Sequence, residues 1–324
     1  MSSFLRKVRN RIDYAVHSAR HRKRLQQHPD KFGPQTSIVI CGTGRSGTTW
    51  LGTVFSALPN AILQDEPFKP GHPFPKKLGT GFHQHVPQGT DWPELRDYFE
   101  RLLSGAYFTR GSFPNHNFKA FSTFEYHVFK FIRLQLLLPW LVDQFTFGRL
   151  MYSIRNPYAV VASQLKHGAW KATDARFEAD LSYRTAYYQA PYTDRIDLVR
   201  KVNTVAGVHA LNWAIENTYL IKHPYNNKQW VTLGYEDLLR NPEERLRQLF
   251  RQFDLPFTEA VEQAIYKQSH SSQHSNKTIE DRLNKWQKQL SAEDRKTVDL
   301  ILDEMEVDFF DREGNADLDK IYNR

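Results

Sequence analysis

Between Ile40 and Trp50 the chain reads Ile-Cys-Gly-Thr-Gly-Arg-Ser-Gly-Thr-Thr-Trp. Gly42 and Gly47 have the spacing of a loop that wraps a phosphate, and Arg45, Ser46, Thr48 and Thr49 add side chains able to donate to an anion. An apolar run, Ser37–Cys41, precedes the loop, and an apolar-periodic segment from about Thr49 to Leu58 follows it. Strand, glycine turn and helix in that order aim backbone N–H groups and the positive helix end at a bound anion.

In the nucleotide triphosphatase version of such a loop, a lysine follows the second glycine and reaches the outer phosphates. Here Thr48 stands in its place, and the later run Leu150–Ile154 leads into Arg155-Asn156 with no aspartate to organise magnesium. That set is poorly suited to ATP hydrolysis. It suits a nucleotide with one phosphate and a sulfate on its 5′ side.

Arg45-Ser-Gly-Thr-Thr-Trp50 resembles the 5′-phosphosulfate-binding loop of the sulfotransferases that use 3′-phosphoadenosine 5′-phosphosulfate (PAPS). Tyr152-Ser-Ile-Arg155-Asn-Pro-Tyr-Ala-Val-Val-Ala-Ser163 is similar to their 3′-phosphate segment, in which an arginine ends a strand and a serine follows on the next helix. Leu233-Gly-Tyr235-Glu-Asp-Leu resembles their strand-end Tyr-Glu-Asp-Leu. The three motifs come in the expected order. The resemblance implies that the loop amides with Ser46, Gly47, Thr48 and Thr49 hold the 5′-phosphate and sulfate. Arg155 would pair with the 3′-phosphate through its planar fork, Ser163 would add a hydroxyl, and Trp50 and Tyr235 would stack on or border the adenine.

For the reacting groups, the resemblance makes Arg45 the cation for charge developing on the leaving nucleotide. The segment Gln64-Asp65-Glu66-Pro67 closes the strand after the loop helix, and tyrosylprotein sulfotransferases are similar here, with an arginine and a glutamate at the separation of Arg45 and Glu66. Glu66 is therefore the expected general base and Asp65 the alternate. Lys119, at the start of an expected strand Phe118–Phe121, corresponds to a lysine that assists the transferring group. Phe121 stands where cytosolic members carry a catalytic histidine, so a base of that type is not expected. His127 reads as structural, and His83 with His85 lacks a third ligand, so no metal is expected. The Arg-Lys-Gly segment that precedes a tryptophan in cytosolic members is missing. This chain has Ser269–Lys277 and then Arg282-Leu-Asn-Lys285-Trp286, where Lys277 or Arg282 are the substitutes.

These groups need a scaffold. Of 324 residues, 40% are hydrophobic and 25% charged, the balance of a globular protein, and one cysteine excludes an internal disulfide framework. Expected strands at Ser37–Cys41, Ala61–Leu63, Phe118–Phe121, Leu150–Ile154 and Trp230–Leu233 alternate with helices. A long apolar helix is expected to run up to about Phe145, and a mostly helical insert over Ala172–Leu220. The alternation predicts an α/β fold: three layers, α/β/α, with a phosphate loop on a central parallel sheet and helical insertions. Residues 33–324 read as one sulfotransferase domain.

Residues 1–32 stand apart. Nine Lys or Arg face Asp13 and Asp30 there, so +7 of the net +8 sits in this arm. Leu5, Val8, Ile12, Ala15, Val16 and Ala19 have helical spacing, which predicts a basic amphipathic helix. It reads either as a solvated helix packed on the body or as one lying on an anionic membrane surface. Nucleic acid is not an expected partner, since the arm has no DNA-binding motif and the body no basic excess. With no secretory h-region and no spanning segment, the expected location is cytoplasmic, peripheral to the inner membrane face at most. The alternatives to a PAPS-dependent sulfotransferase are a P-loop kinase-like enzyme and a membrane- or nucleic-acid-binding module led by the arm. The expected acceptor is a hydroxyl, or an amine, of a carbohydrate, glycolipid or small metabolite.

Overall fold

A computed structural model describes residues 3–28, 31–69, 72–80, 84–108, 118–167, 197–198, 202–267 and 278–323. Its helices are α1 (Ser3–Gln27), α2 (Thr48–Phe55), α3 (Pro73–Leu78), α4 (Pro93–Leu103), α5 (Leu138–Gln144), α6 (Pro157–Lys166), α7 (Val205–Ile221), α8 (Tyr235–Arg240), α9 (Pro242–Gln252), α10 (Glu259–Tyr266), α11 (Ile279–Leu283), α12 (Ala292–Glu304) and α13 (Leu318–Tyr322). The strands are β1 (Ile38–Gly42), β2 (Ala61–Asp65), β3 (Tyr126–Phe131), β4 (Arg149–Ile154) and β5 (Val231–Gly234).

The strands form one sheet in the order β2-β3-β1-β4-β5, with every pairing parallel. β1 lies at the centre and all five of its residues are buried. A strand covered on both faces has no solvent side, so Ile-Val-Ile-Cys reads as a continuous apolar run instead of an alternating one. Its side chains still alternate in direction. Val39 and Cys41 join one core cluster, with Phe129, Tyr152, α5, α6 and α7, while Ile38 and Ile40 join another, with α2, α9 and α10. That is the predicted three-layer α/β/α arrangement.

The third strand departs from expectation. Phe118–Ser122 is a 3-10 turn, and the strand is Tyr126–Phe131. The first segment spaces Phe118 and Phe121 a turn apart, and Phe121 stacks on Phe108. The second is aromatic and β-branched and is covered on both faces, which makes its apolar run hard to tell from a buried helix by pattern alone. The expected long helix is therefore a strand followed by the short α5, which begins with Pro139 in its first turn. Of the expected insert Ala172–Leu220, the part in α7 is helical and residues 172–196 and 199–201 lie outside the described residues.

α1 docks beside the 3-10 turn. Tyr14 Oη donates to Phe108 O at 3.1 Å and Arg24 Nη1 to Phe124 O at 2.6 Å. His21, fully buried, is within 3.0 Å of Gly105 O among the rings of Phe32, Phe108 and Phe124.

Candidate active site

All five strands run the same way, so their carboxyl ends share one edge, the edge at which open parallel sheets bind ligands. β1 ends in the glycine loop, β2 in Asp65-Glu66 and β3 in Lys130-Phe131 with Arg133 just beyond. β4 ends ahead of Arg155-Asn156 and β5 ahead of Tyr235-Glu236. Each strand delivers a charged or aromatic side chain to that edge.

The loop is fixed from behind. Gln164 Nε2 donates to Gly44 O at 3.1 Å, Arg155 Nη1 to Arg45 O at 2.9 Å and Ser153 Oγ to Ser46 O at 2.7 Å. In a trans peptide the N–H opposes its C=O, so these three bonds turn the amides of residues 45–47 away from β4 and α6. The Ser46 amide bonds Thr43 O, leaving those of Arg45 and Gly47 pointing outward. Gly47 starts α2 at φ 92° with no side-chain cap, so the first amides of α2 meet no capping oxygen. A Cβ at Gly47 would lie 2.4 Å from the Tyr235 ring, and one at Gly42 would lie 2.5 Å from Ser153 O. Only glycine fits at either place. Ser46 Oγ, buried in this cradle, has no hydrogen-bond partner among the described residues. Thr48 is buried and Thr49 exposed.

Two arginines flank the loop. Arg45, itself at φ 81°, donates from Nε to Ser163 Oγ at 2.9 Å. The Arg155 guanidinium lies 4.5 Å from the Tyr235 ring centroid. Among the described residues neither is ion-paired. Burial lowers the Arg45 pKa and repulsion from Arg155 lowers it further. The acid in reach of Arg155 is Glu236, which burial raises against the pull of that arginine, and its Oε1 accepts from the Asn156 amide at 3.0 Å. Two half-buried cations that repel each other, next to outward amides and an orphaned hydroxyl, form a setting suited to a multiply charged anion.

The expected residues Arg45, Ser46, Gly47, Arg155, Ser163 and Tyr235 thus come together, with Ser163 held by Arg45. Trp50 is held to α10 instead, its Nε1 donating to Ile265 O at 2.9 Å. A buried network anchors the loop's start: Thr43 Oγ1 donates to Glu216 Oε2 at 2.8 Å, and Asn217 Nδ2 to Thr43 Oγ1 at 3.0 Å. Tyr152 Oη donates to Asn217 Oδ1 at 2.7 Å. Sequence reasoning passed over Glu216 and Asn217; the signal was an adjacent acid and amide in a helix that is buried along most of its length.

The ends of β2 and β3 carry a different group. Lys130 Nζ lies 2.7 Å from Asp65 Oδ1 and 3.2 Å from Glu66 Oε1, and Arg133 Nη1 donates to Glu66 Oε2. Glu66 has φ 48°, a left-handed backbone unusual for a residue with a side chain, and its amide bonds Lys130 O at 2.8 Å. Burial acts to raise its pKa, but Lys130 and then Arg133 outweigh burial and hold the carboxyl below its usual range.

Lys119 belongs to another element, and its side chain lies outside the described residues. It lies in the 3-10 turn ahead of the amino end of β3, whereas the loop lies at the carboxyl ends. The lysine that β3 brings to the site is Lys130, signalled by a lone charge inside Phe-Lys-Phe. Arg133 was likewise passed over. His127 is a core residue, its Nε2 3.2 Å from Gln64 Oε1 and its pKa pushed well down by burial and by His21. Among the described residues no group of three His, Cys, Asp or Glu could hold a metal; His83 and the segment with Lys277 lie outside them, and Arg282 is exposed.

The family model described as the sulfotransferase domain matches residues 35–324. No curated protein matches the chain. Among solved structures it is similar to the sulfotransferase domain of the Synechococcus PCC 7002 olefin synthase, at 16% identity and TM-score 0.43 over 86% of this chain and 98% of that one. It is also similar to mouse sulfotransferase SULT7A1 complexed with PAP (14%, TM-score 0.44, 84% of each chain). A third is STF9 from Mycobacterium avium (14%, TM-score 0.39, 96% of this chain and 86% of that one). Likeness at this level carries no weight by itself, and the assignment rests on the family match over nearly the whole chain after the arm: the protein belongs to the sulfotransferase domain family and is a sulfotransferase.

Proposed function

We propose that the protein moves a sulfuryl group from PAPS to an acceptor hydroxyl, or amine, of a carbohydrate, glycolipid or small metabolite. Residues 33–324 serve as the catalytic unit. The observation that carries this reading is the pair Arg45 and Arg155, both free of ion pairs among the described residues, set around an amide-lined glycine loop. PAPS, when bound, supplies the sulfuryl group and leaves as 3′-phosphoadenosine 5′-phosphate (PAP).

The amides of Arg45 and Gly47, with Ser46, Thr48 and Thr49, hold the 5′ end, and Ser46 Oγ gains its missing partner there. Arg155 and Ser163 hold the 3′-phosphate, with the Tyr235 ring beside the Arg155 guanidinium. Trp50, on α2 and tied to α10 through Ile265 O, borders the nucleotide. Arg45 stabilises charge on the bridging oxygen as the sulfur–oxygen bond to the nucleotide breaks and the bond to the acceptor forms.

Glu66 takes the acceptor proton. Its depressed pKa keeps it ionised at neutral pH but makes it a weak base while Lys130 and Arg133 both hold it. Lys130 takes the role first expected of Lys119, beside the transferring group. The test is single-turnover transfer of labelled sulfate to an acceptor panel. Glu66→Gln should slow the chemical step by about a hundred- to ten-thousandfold and leave PAP affinity intact. Full transfer by that variant sinks the base, and failure of the wild type to bind PAP without metal sinks the reading.

A further inference from the structure

α1 carries two faces that do different things. Three and six-tenths residues per turn place Tyr14, His17, His21 and Arg24 on one side of the helix, and that side makes the contacts with the body. The same geometry places Leu5, Val8, Ile12, Ala15, Val16 and Ala19 on the opposite side. Leu5 is 55% exposed, Val8 38%, Ile12 56% and Val16 42%. A helix that packs on a globular body normally turns its apolar stripe inward. This one docks through aromatic and polar side chains and keeps its aliphatic stripe outward.

Charge says what covers the stripe. Arg9 and Arg20 border it on one side and Arg11 and Arg22 on the other, all exposed, and Lys23 extends it. An apolar stripe edged by cations on both sides matches an anionic bilayer: aliphatic side chains enter the acyl boundary while guanidinium groups reach the phosphates. No described helix is long and apolar enough to cross a membrane, so the contact is interfacial. At about 1.5 Å per residue the helix lies along roughly 37 Å of surface. The polar docking bonds are on the other side and need not break.

We propose that α1 is an interfacial anchor, seating the enzyme on an anionic lipid surface through Val8, Ile12 and Val16 and their flanking arginines. The inference rests on α1 alone and stands or falls independently of the sulfuryl-transfer chemistry.

Flotation of the full chain with vesicles tests it, comparing phosphatidylcholine alone with phosphatidylcholine mixed with phosphatidylglycerol. The wild type should float with the mixed vesicles and only weakly with the neutral ones. Ile12→Glu with Val16→Glu should lower the partition coefficient at least about tenfold. Arg11→Gln with Arg22→Gln should lower it about twenty-fivefold on the mixed vesicles, at about fivefold per charge. Both variants alter the face away from the body, so their thermal melting and PAP binding should match the wild type. Equal flotation on the two vesicle types, or wild-type flotation by the stripe variant, overturns the proposal. So does self-association by light scattering that the stripe variant abolishes, or duplex DNA binding in place of vesicle binding.

Discussion

The two halves of the strand-end edge handle charge in opposite ways. At the ends of β1 and β4, Arg45 and Arg155 are held by neutral partners: a serine hydroxyl, a backbone carbonyl and a tyrosine ring. At the ends of β2 and β3, two carboxylates and two cations neutralise one another at close range. A half-buried cation outside any close ion pair, with Glu236 acting on Arg155 only at longer range, is under-solvated and gains most from an incoming anion. A neutralised cluster gains little from one and instead resists any change in its protonation. On the proposed function, the first half recruits the charged nucleotide and the second holds the base until an acceptor rearranges its ion pairs.

That division can be tested by variants. On the nucleotide half the largest effect is expected from Arg45→Ala, which should lower kcat by about a hundred- to a thousandfold in single-turnover transfer. Next, Arg155→Ala should weaken PAP binding about thirtyfold or more by calorimetry, while Lys130→Met should leave PAP affinity near wild type. Comparable losses in both would erase the distinction between the halves. Gly47→Ala strains a left-handed position and drives a methyl into Tyr235, so PAP affinity should fall about tenfold and the melting temperature should drop.

The smallest effect concerns pH. Lys130 and Arg133 hold Glu66 below its ordinary value, so Arg133→Gln should raise that pKa. The acid limb of the pH–rate profile should then move to higher pH, because the base must be ionised. Stability follows the same sign. A depressed carboxylate adds stability that is complete above its unfolded pKa of about 4.3 and is lost as pH falls through the folded value. Arg133→Gln should therefore lose a smaller increment than wild type between neutral pH and acid, as read by urea titration. An unshifted limb would mean that Arg133 does not govern Glu66.

What could be read from sequence follows how local each feature is. The loop, Arg155 with Ser163, and Tyr235 are legible because each motif lies within a few residues on a strand end, where backbone geometry leaves little choice. Lys130 and Arg133 escaped because a charge in an apolar run looks like an interruption, and Tyr126–Phe131 is as apolar as a buried helix. Their meaning appears only when β3 aligns Lys130 with Asp65 in the parallel register. The arm was legible as a helix but not its docked face, which is aromatic and polar and so lacks the apolar signature of a packing surface.

The strand-end edge has a consequence for assembly. On the proposed function, the nucleotide cradle draws on residue 42 and on residue 235, so a chain that has not wound β5 onto β4 has no complete cradle, whatever β1 has already formed. Parallel pairings between distant segments close late and slowly. A bound nucleotide selects the fully wound sheet by mass action, by about 2.7 kcal/mol at a hundredfold excess over Kd. Nucleotide retention would then report completed winding, and a nick between β4 and β5 should release the ligand before the remaining strands come apart.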